Sequence, residues 1–447
     1  MTMHHASTSQ TARLTRGTVL LLAVTCGIAV GTIYFPQAVS PLVADGLHVP
    51  PAAAALVVTA TQLGYTAGIF LLVPLADRVP HRTLIVTLLA LSGLSLLAAG
   101  AAPGLAVLVA ASALVGTTTV AAQVIAPMAA GLVPENRRGV VTGTLLSGSI
   151  GGILLARAFA GILGESAGWR APYLVAALLV LLLAAVLART LPTTTPPSAQ
   201  PYVAVLAEPL RLLRNEPELR RSAFYQATVF CGFSAIWTTI ALLLTGPAYQ
   251  LGTGAVGLLA LVGAGTMVTT PIAGRQVDRH GPDPVNLVAL LGVLAAAGVL
   301  ALGVVRGAVG LAALTAGTLL LDVAMQAGMV ANQTRIWALR AEIRGRLNTA
   351  YMSCAYLGGT AGSWLGAQAY TRYGWSAVCA LLAGLTAAAL IRHLRPARTT
   401  ASSCVRPALS LQQPTVVPLD DRRPDGCSVT ARSDGSRRGG IRLGRRW

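Results

Sequence analysis

The chain contains no lysine: all 33 of its basic residues are arginine. The phosphate-cradling GxxxxGK[ST] loop is therefore absent, and so is any Schiff-base chemistry on a lysine amine. Charge of either sign is scarce. Only 11% of residues are charged, against about 25% in soluble domains. With 54% hydrophobic residues and a mean hydropathy of +0.67, there are too few charges to cover a water-facing surface. Histidine is equally thin: His4, His5, His48, His81, His280 and His393 fall in tails, loops or expected helix ends. No HExxH or clustered Cys/His spacing occurs, so neither a metal site nor any other cofactor is expected. The six cysteines are scattered and make no disulfide framework.

Long apolar segments recur instead, many near the about 20 residues that cross a bilayer. Barrel strands would alternate over about 10 residues rather than run apolar, which excludes a transmembrane β-barrel. The fold class is therefore all-α and polytopic. The first apolar segment is longer than a signal-peptide core and reads as a retained helix. Apolar windows bounded by Gly, Pro and charge give twelve helices, near 17–39, 52–74, 83–102, 105–129, 139–163, 171–190, 222–245, 254–276, 284–304, 309–333, 345–369 and 374–394.

Arginine sets the orientation. Arg13 and Arg16, and the loops holding Arg78/Arg82, Arg137/Arg138, Arg189 to Arg221, Arg275/Arg279 and Arg335 to Arg346, all fall on one side. The opposite loops hold only Arg170, Arg306 and Arg372. Both termini are therefore expected to be cytoplasmic, in a multi-pass protein of the cell membrane. The net charge of +18 reads as topology, not as a nucleic-acid footprint.

Five regions follow: a tail 1–16, six helices over 17–190, a Pro/Thr-rich linker 191–221, six helices over 222–394, and an Arg-rich tail 395–447 expected to be disordered. Contact of that last tail with anionic lipid is one reading and a solvated tail without a role is the other. The two helical halves resemble each other. Asp77-Arg78 matches Asp278-Arg279 at an offset of 201, and Arg138-Gly139 matches Arg344-Gly345 at 206. That second register runs without a gap through Gly152/Gly358 to Gly168-Trp169/Gly374-Trp375. Thr119 to Gln123 aligns with Asp322 to Gln326 at 203. A parallel duplication of this kind places a substrate site between the halves near the bilayer midplane.

The helix count, the long central linker and the duplicated loop motif resemble the major facilitator superfamily. That resemblance covers about 17–394. The family's loop signature is roughly G-x-x-x-D-R-x-G-R-R. Gly274, Asp278, Arg279 and Gly281 fit it until Pro282. The first copy keeps Asp77, Arg78 and Arg82, with Val73 and Pro80 at the usual glycines and His81 at an arginine. The resemblance implies a latch between helix ends on the cytoplasmic face; the alternative is ordinary positive-inside charge. The finer likeness is to bacterial sugar-efflux and drug-resistance permeases. Two of the markers of proton-coupled drug exporters are altered. Ser112 stands where helix four usually has an arginine, and Gly148-Ser149-Ile150-Gly151-Gly152 stands for the Gly-Pro-x-x-Gly-Gly run of helix five.

Inside the membrane, polar residues are the informative ones. Asp322 lies thirteen residues from Arg335, about 20 Å at 1.5 Å per residue, which is mid-depth on helix ten. Asp322, Gln326, Met329 and Gln333 share one stripe. Asp322 reads as a proton or cation site, or as an acid that fixes packing through a hydrogen bond. Arg157, in the outer third of helix five, either snorkels to the interface or binds an anionic group. Tyr34 and Gln37 on helix one, Gln62 and Tyr65 on helix two, Thr119 and Gln123 on helix four and Trp237 on helix seven are further pathway candidates, the alternative for each being an interhelical bond or an interface anchor; the resemblance puts helices one, four, seven and ten around the cavity. One acid and one arginine at depth do not make a catalytic cluster, so no enzyme is expected. The expectation is a monomeric secondary transporter of a small organic solute, exporting it against protons. An uptake symporter or uniporter on the same fold, and a non-transporting sensor, are the alternatives.

Overall fold

A computed structural model describes residues 15–192, 201–340 and 343–395, without the side chains of 135 and 136. The expected tails 1–14 and 396–447 and the linker stretch 193–200 lie outside the described residues. All elements described are helical. Eleven of them are long and apolar enough to cross a membrane: Arg16–Leu47, Pro51–Asp77, His81–Gly100, Leu105–Gly131, Arg137–Ala167, Ala171–Thr190, Pro217–Thr245, Thr253–His280, Pro282–Val304, Ala308–Leu339 and Trp375–Leu394. A twelfth helix, Arg344–Tyr373, has 30 residues but begins with a polar turn and is rich in small residues. These twelve are called spans 1 to 12 in chain order. An amphipathic helix, Tyr202–Asn215, lies in the linker.

Several spans outrun their expected bounds. Span 1 reaches Leu47 rather than 39, and span 5 reaches Ala167 rather than 163. Apolar windows stop at the first polar cluster, whereas the backbone ladder continues to a residue that cannot extend it. Gly168 and Gly374 mark such ends, with φ of +83° and +77°, a region where an L side chain is strained. They are partners in the sequence repeat.

The repeat is also carried in packing. Span 1 crosses span 5 with Gly27 against Gly152, and span 7 crosses span 11 with Ala227 against Gly358. A Cβ built on Gly27 would stand 2.6 Å from the Gly148 carbonyl oxygen, so those backbones meet with nothing between them. Small residues at a crossing let dispersion contacts form where no hydrophobic drive separates helix from lipid. Spans 1–6 meet spans 7–12 through spans 5 and 8, spans 2 and 11, and spans 1 and 7. Both sets belong to one compact unit.

Three spans are broken at mid-depth. Span 1 breaks at Ile33 and Tyr34, span 4 at Thr119 and Val120, and span 8 at Gly263 and Ala264. In span 1, Pro36 has no N–H for the Thr32 carbonyl. Ile33 N–H donates three residues back to Val30, and the Ala29 carbonyl accepts instead from the hydroxyls of Thr32 at 2.8 Å and Thr119 at 2.7 Å. Side chains thus satisfy the carbonyl that the break releases.

Candidate functional site

The breaks surround a buried polar chain. Asp322 sits mid-way along unbroken span 10 and is only 5% exposed. Its Oδ1 accepts a hydrogen bond from Trp237 Nε1 at 3.0 Å. Its Oδ2 accepts no hydrogen bond among the described residues and lies against Gly263, at the break of span 8. A Cβ on Gly263 would stand 2.6 Å from Oδ2, so a larger residue there displaces the carboxylate.

Arg157 lies over the face of the same indole. Its guanidinium carbon is 4.1 Å from the Trp237 ring centre, 4.7 Å from Tyr34 and 5.8 Å from Phe233. Nε donates to Gln37 Oε1 at 2.9 Å, and Nη2 has no partner although the residue is 1% exposed. Burial and stacking on three rings rule out snorkelling to the interface. Cation–π contact strengthens in a dry site, but it leaves guanidinium N–H groups unpaired. No ion pair joins Arg157 to Asp322; both touch Trp237, Arg157 over its face and Asp322 at its ring N–H.

An aromatic layer continues from there. Tyr34 and Tyr356 hydroxyls are 3.4 Å apart, and Tyr356 packs edge-on to Tyr65 at 4.5 Å and to Phe230 at 5.1 Å. Gln123 Nε2 donates to the Tyr65 hydroxyl at 3.1 Å. Gln62 donates through Nε2 to Ser234 Oγ at 2.8 Å and accepts from that hydroxyl at 3.1 Å, which joins spans 2 and 7. Further towards the expected outer end, Thr59 meets Ser363 at 2.8 Å and Thr253 donates to the Gly161 carbonyl at 3.0 Å. Glu165 accepts from the Gly254 N–H there. Towards the expected cytoplasmic end, Gln326, Met329 and Gln333 are only half-buried.

Of the sequence candidates, Tyr34, Gln37, Arg157, Trp237 and Asp322 come together directly. Tyr65, Gln123 and Gln62 form the adjoining layer. Thr119 does not face Asp322; it serves the span 1 break. Tyr356, Phe233 and Ser234 were not anticipated. Tyr356 and Phe233 sit in sequences rich in apolar residues, where an aromatic reads as ordinary core.

The loop motifs are looser. Arg82 donates to the Ala188 carbonyl at the end of span 6, within its own half. Asp278 and Arg279 are exposed and form no hydrogen bond or ion pair among the described residues. Gly281 has φ +81°, which explains the glycine, while Gly274 has open space around it. A stronger network, unforeseen, ties spans 7, 9 and 10. Arg221 pairs with Asp283 at 2.8 Å and Glu218 at 3.7 Å, while Arg335 pairs with Glu218 at 3.5 Å and with Asp283. In the linker, Tyr202 donates to the Leu71 carbonyl and Glu208 pairs with Arg346, so that helix touches both halves. Burial raises the Tyr202 phenol above its usual pKa and keeps it a donor.

A duplicated set of membrane-spanning helices around a buried polar centre defines a membrane transport protein. The chain belongs to the Major Facilitator Superfamily, whose sequence profile matches residues 20–337 and 223–419. It is 34% identical over 370 residues to the uncharacterized transporter YgaY of Escherichia coli O157:H7, covering 83% of this chain and 92% of that protein. To the probable transporter SCO4007 of Streptomyces coelicolor it is 34% identical over 387 residues, covering 85% and 87%. Likeness to the multidrug resistance protein MdtG of Escherichia coli is 25% over 264 residues, 57% of this chain and 62% of that protein. Among solved structures, a mutant of the nucleoside transporter NupG superposes with a TM-score of 0.66 at 12% identity, covering 84% and 98%. A bacterial homologue of the human lysosomal transporter Spinster, inward-facing and occupied, gives 0.61 at 14%, covering 84% and 93%. These last two bear on the fold alone.

Proposed function

We propose that the protein is a secondary active transporter that exports a small organic solute in exchange for protons. The observation that carries this reading is Asp322: a mid-membrane carboxylate with one oxygen fixed by Trp237 and the other without a hydrogen-bond partner among the described residues. An intramembrane acid is costly to keep and marks ion or substrate pathways. Asp322 takes and returns the proton. Arg157, one indole away, offers an unpaired Nη2 to an acceptor or anionic group on the solute. Gln37, Tyr34, Gln62, Tyr65 and Gln123 complete the polar lining, and Gln326 and Gln333 line the approach. Export is favoured by the likeness to MdtG, whose name is that of a multidrug resistance protein.

In this proposal residues 17–190 and 222–394 rock as two bundles about the site, joined by the linker 191–221, in a monomer of the cell membrane. The tails 1–16 and 395–447 are cytoplasmic. The described form is open to the cytoplasm, given the half-buried stripe below Asp322 and the hydrogen bonds closing the other end. Asp77, Arg78 and Arg82, with Gly274, Asp278, Arg279 and Gly281, close the cytoplasmic side in the opposite form.

Overexpression scored against a panel of toxic compounds and sugars identifies the solute. Its accumulation in inside-out vesicles under an inward-acid gradient then tests the coupling. Uncoupler-sensitive accumulation is expected. Flux insensitive to the uncoupler would sink coupling, and gradient-driven movement in the opposite sense would make the protein an uptake symporter.

A further inference from the structure

A groove of about 680 Å³ lies on the membrane-facing surface between the end of the linker helix and spans 7, 11 and 12. Its chemistry is graded along its length. Arg220, Arg221 and Arg392 stand at one end, and Phe224 and Leu357 line the rest with small residues between them. Phe224 is 42% and Leu357 is 55% exposed, so an apolar wall is uncovered directly beside three cations.

The charges there are not equally balanced. Arg221 is neutralised by Asp283 and Glu218. Arg220 donates to the backbone carbonyls of Leu213 and Arg214, neither of which carries a charge. Arg392 forms no hydrogen bond or ion pair among the described residues and is exposed. The nearby acids are already committed: Glu218 and Asp283 to Arg221 and Arg335, and Glu216 to Arg340. Among the described residues, two guanidinium groups at the groove mouth therefore lack a counter-charge.

We propose that this groove binds an anionic phospholipid, its phosphate held by Arg220 and Arg392 and one acyl chain laid between Phe224 and Leu357. The depth fits. Arg220 to Ala227 rises about 10 Å along span 7, within the roughly 15 Å of hydrocarbon in one leaflet. The linker helix adds a second observation. It exposes Val203 and Leu210 while carrying Arg211 and Arg214, the pattern of a helix lying in a membrane interface. A free phosphate would answer the arginines but leave the apolar wall bare. A zwitterionic lipid would cover the wall but supply no net charge. Because Arg221 belongs both to this groove and to the network on spans 9 and 10, the bound headgroup sits beside the inner end of the helix that carries Asp322. The proposal does not depend on the direction or coupling of transport.

The test uses the full chain in detergent micelles, given phosphatidylglycerol or phosphatidylcholine in equal amounts, with lipid retention read by native mass spectrometry and stability by thermal unfolding. Phosphatidylglycerol should be retained preferentially and raise Tm, and inorganic phosphate should not. Arg392→Gln should lower the preference about fivefold, and Arg220→Gln added to it should lower it about as much again. Ala361→Trp fills the groove but leaves every arginine in place, and it too should lower the preference. Equal retention of the two lipids, stabilisation by phosphate matching that by phosphatidylglycerol, or an unchanged preference in Arg392→Gln or Ala361→Trp would each overturn the proposal.

Discussion

Spans 4 and 10 hold equivalent places in the two halves, yet they are built differently. Span 4 breaks at Thr119, whose hydroxyl satisfies a carbonyl on span 1. Span 10 runs unbroken and carries Asp322 at the aligned position. The backbone duplication is kept where helices cross, at Gly27/Gly152 and Ala227/Gly358. It is abandoned where chemistry is placed. Arg157 in one half and Asp322 in the other both contact Trp237, and each has a neutral residue at its repeat partner, Ser363 and Thr119. Close packing needs small residues in both halves, because a Cβ on Gly152 or Gly358 would meet the facing backbone. A coupling site needs its acid only once, since a second carboxylate nearby would repel the first.

The comparison breaks most severely at the crossings. Gly152→Leu and Gly358→Leu should each lose monodisperse protein on size-exclusion chromatography, because overpacking costs about 1–3 kcal/mol where the neighbours can shift and here they are backbone. Tolerance of one but not the other would mean the crossings are not equivalent. Next comes the charge network that ties spans 7, 9 and 10. Arg335→Gln should destabilise by about 1–3 kcal/mol in thermal unfolding, since it leaves Asp283 and Glu218 to Arg221 alone. Trp237→Phe keeps a ring over Arg157 but removes the donor to Asp322. A hydrogen bond to a charged group contributes about 1.5–3 kcal/mol, so the loss should appear both in Tm and in a shifted pH profile of transport. Thr119→Val should cost the least, about 1 kcal/mol, and leave that pH profile in place. A lost pH dependence there would move the coupling role into the first half.

Much of the fold was legible because its causes are local. Apolar length gives the spans, and a constant offset gives the duplication. The helix breaks were not, because Pro36 and Gly263 do not say by themselves whether a helix kinks or continues. Asp322 was legible because a carboxylate in hydrocarbon has few explanations. Its partners were harder to foresee. Trp237 lies 85 residues from Asp322, and Tyr356 lies 322 residues from Tyr34. The network of Arg221, Glu218, Asp283 and Arg335 was hidden among loop charges that topology alone accounts for.

The central claim is that one acid in the second half carries the coupling. The direct test is proton movement into pyranine-loaded proteoliposomes, triggered by the solute that the wild-type protein exports, for wild type and Asp322→Asn. Asp322→Asn should still exchange solute down its gradient but give no solute-triggered change in internal pH. An unchanged proton signal in Asp322→Asn would contradict the account.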